Sequence, residues 1–112
     1  MPPANQARLL RIHVAESDRY EGKPLYEAIV DRCRELRIAG ATVLRGLEGY
    51  GGTAEMHRAH LTRRDQPAVI VIVDTAENIA RLLQVVEPML DTGVMAISEV
   101  QAVRVRRSTP TL

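Results

Sequence analysis

From Leu9 to Val14 the chain alternates: Leu10, Ile12 and Val14 fall on one side of an extended backbone, Arg11 and His13 on the other. That two-residue period is the mark of a half-buried strand. The period then changes. After Pro24, a residue suited to the first position of a helix, Leu25, Ala28, Ile29, Cys33 and Leu36 recur at helical spacing. Glu27, Asp31, Arg34 and Glu35 occupy the opposite side, so the pattern predicts a helix from about Pro24 to Arg37, ended by Gly40. Ala41-Thr42-Val43-Leu44 opens a second strand that runs into the glycine cluster Gly46, Gly49, Gly51 and Gly52. The third strand is the plainest element: Ala68 to Val73 is a continuous, mostly β-branched run, as expected of a strand in the middle of a sheet.

Asp74-Thr75-Ala76-Glu77 reads as a helix start, with Glu77 placed to reach back as in a capping box. Ile79, Leu82, Leu83, Val86 and Leu90 form the apolar stripe of a second helix, which Pro88 should kink or bring to its last turns and Gly93 should terminate. Met95 to Val105 is the fourth strand; its alternation changes phase between Ile97 and Val100, pointing to a bulge or to two halves that face different neighbours. The order β-α-β-β-α-β predicts an α+β, ferredoxin-like sandwich, a four-stranded antiparallel sheet with two helices on one face. The other sheet face would lack helix cover, and subunit association would bury it. Residues 1–7 read as a flexible arm, 8–105 as the folded domain and 106–112 as a flexible tail.

Composition narrows the function classes. The chain has 112 residues, 46% apolar and 26% charged, enough for one core and ordinary for a globular domain. A formal net charge of +1 gives no field that would favour nucleic acid, and Tyr20, Tyr26 and Tyr50 are the only aromatic side chains for base stacking. Neither a signal peptide nor an apolar run of about 20 residues is visible, so a cytoplasmic protein without membrane insertion is expected. Cys33 lies on the apolar stripe of the first helix and reads as a small buried hydrophobe.

Glu16-Ser17-Asp18-Arg19-Tyr20, the stretch Gly22-Lys23-Pro24-Leu25-Tyr26-Glu27-Ala28-Ile29-Val30, Ala39 to Gly46, and Val71-Ile72-Val73-Asp74 together resemble bacterial and archaeal PII-like proteins of a family of unknown function, over about residues 8–105. The resemblance implies a trimer, as in the PII signalling proteins and the CutA-type proteins. It also implies a loop at 46–66 that docks onto transporters or enzymes, and an adenine nucleotide bound between subunits at the base of that loop, where Gly49-Tyr50-Gly51 lies. Two departures from PII stand out. The loop after Gly52 has no Tyr to match the one modified in some PII proteins, and the C-terminal phosphate-gripping cluster has no counterpart unless Arg104, Arg106 and Arg107 take that part.

Candidate chemistry is correspondingly modest. The Gly46–Gly52 cluster either cradles an anion on successive N–H groups, with Arg45 as counter-charge, or is simply a bulged strand end. Arg19 and Lys23 either reach a ligand anion or belong to a turn in which Ser17 and Asp18 bond the backbone. Arg58, Arg63 and Arg64 are candidate partner-docking residues; His57 and His60, with Glu55, are weak candidates for a metal. No nucleophile with a neighbouring base is visible, which argues against an enzyme. The resemblance implies a trimeric PII-like regulator that senses a small effector, an adenine nucleotide, and acts on a partner such as a membrane transporter. A CutA-like metal- or ion-tolerance protein and a structural trimer without ligand are the alternatives.

Overall fold

The computed structural model describes residues 6–46, 66–105 and 107. Strand β1 (Gln6–Ala15) is central, with strand β5 (Pro67–Asp74) antiparallel on one side and strand β6 (Val94–Gln101) antiparallel on the other. Strand β4 (Thr42–Arg45) pairs with the outer edge of β5, giving the sheet order β4-β5-β1-β6. Helices α1 (Leu25–Glu35) and α2 (Ala76–Val86) touch each other and the central strands on one face. This is the ferredoxin-like arrangement that the element order predicts.

The two-residue period decides which side is covered. Leu10, Ile12, Ile70 and Ile72 have at most 1% of their surface exposed and pack with Ala28, Ile29, Cys33, Ile79, Leu82 and Val86 into one core. Removing a buried Leu or Ile side chain from such a core costs about 2–5 kcal/mol. The other sheet face carries Leu44, Val69, Val71, Val73, Leu9, Val94, Ala96 and Val100 with no helix over it among the described residues, and Arg11 and His13 project from the middle of it. Leu44 and Val94 stay 53% and 58% exposed there.

Several sequence expectations change in detail. The first strand starts at Gln6, so residues 6 and 7 pair with Gln101 and Val100 instead of trailing as an arm. The register between β1 and β6 is one-to-one from Val94 to Gln101, so β6 has no bulge. Its loss of alternation has another cause: an edge strand is half exposed on both sides, and Ile97, on the helix side, is 45% exposed. Of the two effects expected of Pro88, the structure shows the second: α2 ends at Val86 and a short 3-10 turn at Glu87–Met89 follows directly. Glu77 does not form a capping box. Thr75 is the N-cap and its hydroxyl accepts from the Asn78 N–H, which puts Glu77 one position too early to reach back.

A two-residue hairpin escaped the hydrophobic pattern. Strands β2 (Arg19–Tyr20) and β3 (Lys23–Pro24) are joined by Glu21-Gly22, both at positive φ (50° and 86°), as a type I′ turn requires.

Helix α1 ends before Gly40. The Ile38 N–H donates to the Cys33 carbonyl and the Arg37 N–H to the Arg34 carbonyl, the paired bonds of a Schellman cap. The residue that must turn left-handed in such a cap is usually glycine; here it is Arg37, at φ 60°. Burial raises the Cys33 thiol to about 11, which makes it the inert apolar residue its position predicts.

Asp74 binds three donors from two directions: the Ala39 and Thr75 backbone N–H groups and the Asn78 side-chain amide. Arg81 adds a bond to the Leu36 carbonyl, so the α1–β4 connection is tied to the start of α2. Burial raises the Asp74 pKa, but the Ala39, Thr75 and Asn78 hydrogen bonds and the nearby Arg104 outweigh it and hold the pKa below the usual carboxylate value.

These contacts generate three stability predictions. Replacing Arg37→Gly removes left-handed strain and should raise stability by about 0.5–1 kcal/mol in urea unfolding. Asp74→Ala strands three donors and should lower stability by about 1–3 kcal/mol. Because the folded pKa of Asp74 is depressed, its contribution is full above the unfolded pKa of about 3.9 and is lost as pH falls through the lower folded value. The stability gap between wild type and Asp74→Asn, measured by urea unfolding at several pH values, should therefore be widest near neutrality and shrink below about pH 4.

Candidate functional site

The candidate site lies where β4 ends and β5 begins. The Gly46 N–H donates to the Pro67 carbonyl at 2.8 Å, and the Glu16 N–H donates to the Gln66 carbonyl at the same distance. These two bonds pinch together the ends of the 47–65 segment and hold both against the turn that leaves β1. Gly46 is needed for closeness rather than for unusual φ: a Cβ there would sit 2.6 Å from Cγ of the Pro67 ring. A proline ring has little freedom to yield, so any side chain at 46 would push the two strands apart.

Arg45 is the charged group at this pinch. It is the last residue of β4, on the helix side of the sheet and opposite Ala68. Its Nε is 3.2 Å from Oε2 of Glu16, and its Nη2 donates to the Tyr26 hydroxyl oxygen at 3.4 Å. Three elements thus converge: the end of β4, the turn after β1 and the first turn of α1. The Tyr26 hydroxyl and then the Glu16 charge raise the Arg45 pKa, so it stays a fixed cation. The Arg45 side chain is nevertheless 60% exposed, whereas the Glu16 side chain is only 24% exposed. Oε2 of Glu16 is buried and has no aligned hydrogen-bond donor among the described residues, despite lying within ion-pair range of Arg45. Chemically, the cluster can offer an exposed cation to an anion beside a phenol hydroxyl and a carboxylate.

The structure brings only some of the sequence candidates together. Arg45 and Gly46 are adjacent at the pinch. Lys23 is elsewhere in its contacts: it pairs with Asp31 on α1, which Arg34 also approaches at 3.4 Å. The Lys23 contact is also the main reason the Asp31 carboxyl is lowered below its usual value. Arg19 starts β2 opposite Pro24 and is exposed. Asp18 is a turn residue, since the Ala15 N–H donates to its carboxylate and its own N–H returns to the Ala15 carbonyl. Gly49, Tyr50, Gly51, His57, His60, Arg58, Arg63, Arg64 and Arg106 lie outside the described residues. Arg104 acts on Asp74, at the opposite end of β5 from Pro67. Seven residue steps separate the two ends, about 23 Å at 3.3 Å per residue, so Arg104 and Arg45 do not form one cluster within a subunit.

Glu16 and Tyr26 are the functional candidates that patterning missed. Both fall in stretches that resemble PII-like proteins, but only the register Ala15↔Pro67 and Arg45↔Ala68 brings them to Arg45.

Comparison with known proteins agrees with this fold. A UPF0166 protein from Aquifex aeolicus is 35% identical over 98 residues, covering 86% of this chain and 92% of that protein. A UPF0166 protein from Methanocaldococcus jannaschii is 35% identical over 97 residues, covering 84% and 89%. Among solved structures, that of CPII, a nitrogen regulatory PII-like protein from Thiomonas intermedia K12, bound to ADP, AMP and bicarbonate, superposes with a TM-score of 0.64 at 16% identity. The match covers 88% of this chain and 96% of CPII. At that identity the likeness concerns the fold. The model of the DUF190 family (Uncharacterized ACR, COG1993) matches residues 7–102, and with that span and those relatives the chain belongs to the DUF190 family, whose fold is PII-like.

Proposed function

We propose that this chain is a PII-like regulatory protein that senses an adenine nucleotide through Arg45 and Gly46 and passes the signal to a protein partner. The observation that carries the reading is the exposed, permanently charged Arg45 at the pinch between Gly46 and Gln66. It is supported by a fold shared with CPII, which is bound to ADP and AMP. Gly49, Tyr50 and Gly51 follow in sequence and complete the proposed ligand contacts, with Arg19 and Lys23 as more distant contributors. Arg58, Arg63 and Arg64 would meet the partner, a transporter being the kind that kinship favours. An effector alters such a protein only if it binds one arrangement of the loop base better than another.

The molecule acts here as a binder rather than a catalyst. Its one thiol is buried and raised to about 11, so it is no nucleophile at neutral pH. The proposed assembly is a homotrimer that covers the open sheet face. Burying such a face is favourable at about 25 cal/mol per Å² of apolar surface, and the face has apolar side chains on all four strands.

Isothermal titration of the full chain with ATP, ADP and AMP tests the ligand. At least one should bind, and Arg45→Ala should weaken it about tenfold or more, the usual loss when a charge-assisted hydrogen bond is removed. Absence of binding by all three would sink the nucleotide reading. Light scattering tests the assembly: the mass should be three times the 12.4 kDa subunit and fall toward one subunit in Leu44→Glu/Val71→Asp. A wild-type monomer would refute the trimer.

A further inference from the structure

We propose that Glu16 is a built-in competitor for Arg45: its carboxylate holds the guanidinium in the unliganded protein, and an anionic group of the ligand takes its place. The idea rests on reading Arg45 as the ligand anchor and adds how that anchor is regulated.

The geometry of the pair is that of a contact made to be exchanged. Elsewhere in the chain Nη1 of Arg32 donates to both carboxylate oxygens of Glu35, at 3.0 and 3.1 Å. Arg45 has no such grip. Its Nε faces a single Glu16 oxygen at 3.2 Å without an aligned hydrogen bond, and its Nη2 reaches the Tyr26 hydroxyl only at 3.4 Å. Two donor positions of one guanidinium are therefore spent on two single, imperfect partners. A phosphate presents several oxygens at the spacing a guanidinium fork prefers, and it can satisfy those donors together. Arg45 is 60% exposed, so it can be reached without unfolding anything.

Glu16 is also tied to the rest of the pinch. Its backbone N–H is bonded to the Gln66 carbonyl, and Gln66 adjoins Pro67, whose carbonyl accepts from Gly46. When the ligand anion takes Arg45, the Glu16 carboxylate loses its only charged partner among the described residues and must turn toward water. That turn is made by a residue bonded to one end of the 47–65 segment. The exchange therefore couples anion binding to the base of that segment through one residue.

The test uses the full chain and three probes: ADP, adenosine and inorganic pyrophosphate. Titrations are run on wild type, Glu16→Gln, Arg45→Ala and the double variant. If Glu16 competes, Glu16→Gln binds ADP and pyrophosphate about two- to fivefold more tightly than wild type, the range expected for releasing one partly exposed ion pair. Adenosine, which has no anion, is unaffected, and the gain disappears in the Arg45→Ala background. Glu16→Asp keeps the charge on a shorter arm and should give a smaller gain, so it serves if Glu16→Gln melts early. Unchanged or weaker ADP binding by Glu16→Gln, with wild-type binding intact, overturns the competitor role and leaves the nucleotide reading standing. If neither wild type nor Glu16→Gln responds to ADP or pyrophosphate, there is no anion site at Arg45 and both ideas fall.

Discussion

Everything in this fold depends on β1 being paired on both sides without a break. Eight consecutive residues of β1 match eight of β5, and eight match eight of β6. Because side chains alternate strictly along a strand, a one-residue slip in either ladder would move Leu10, Ile12 and Val14 from the core to the open face. That penalty locks the register. The locked register in turn decides that Ala15 lies beside Pro67 and that Arg45 lies beside Ala68. The candidate site is thus a by-product of core packing: Glu16 and Arg45 meet because Leu10, Ile12, Ile70 and Ile72 must be buried together.

The same reasoning explains what could and could not be read from the chain. Periodicity located all four main strands and both helices, because each buries one face and the burial leaves a repeat of about 2 or 3.6 residues. It was weakest where burial is partial. The last strand is an edge, so its pattern blurred and resembled a bulge. The β2–β3 hairpin buries little, and its only clue was Glu21-Gly22, a turn dipeptide less familiar than Asn-Gly. The stop of α1 was misplaced because the left-handed position went to Arg37 rather than to a glycine. Within the predicted helix start Asp74-Thr75-Ala76-Glu77 the cap is Thr75, and Asp74 turns to Ala39.

Sequence singled out Arg45 and Gly46 but not the residues they touch. The Arg45–Glu16 contact spans strands that are far apart in the chain, and no local spacing encodes it. Sequence offered an anion cradle or a bulged strand end for the glycine at 46, whereas its nearest constraint is the ring of Pro67. Lys23 shows the converse: its charge stands out in the chain, yet Asp31 engages it on the outer side of α1. The comparisons add the DUF190 family and a PII-like fold.

The four-residue strand β4 has one further consequence. Just before it starts, the Ala39 N–H is fixed to Asp74; just after it ends, the Gly46 N–H is fixed to the Pro67 carbonyl. Those two anchors are the first and last residues of β5. β4 is therefore a strut bolted at both ends to the strand beside it, although it lies at the rim of the sheet. The 47–65 segment therefore connects this strut, at Gly46, to the core strand β5, at Pro67, one residue before the fully buried Ala68.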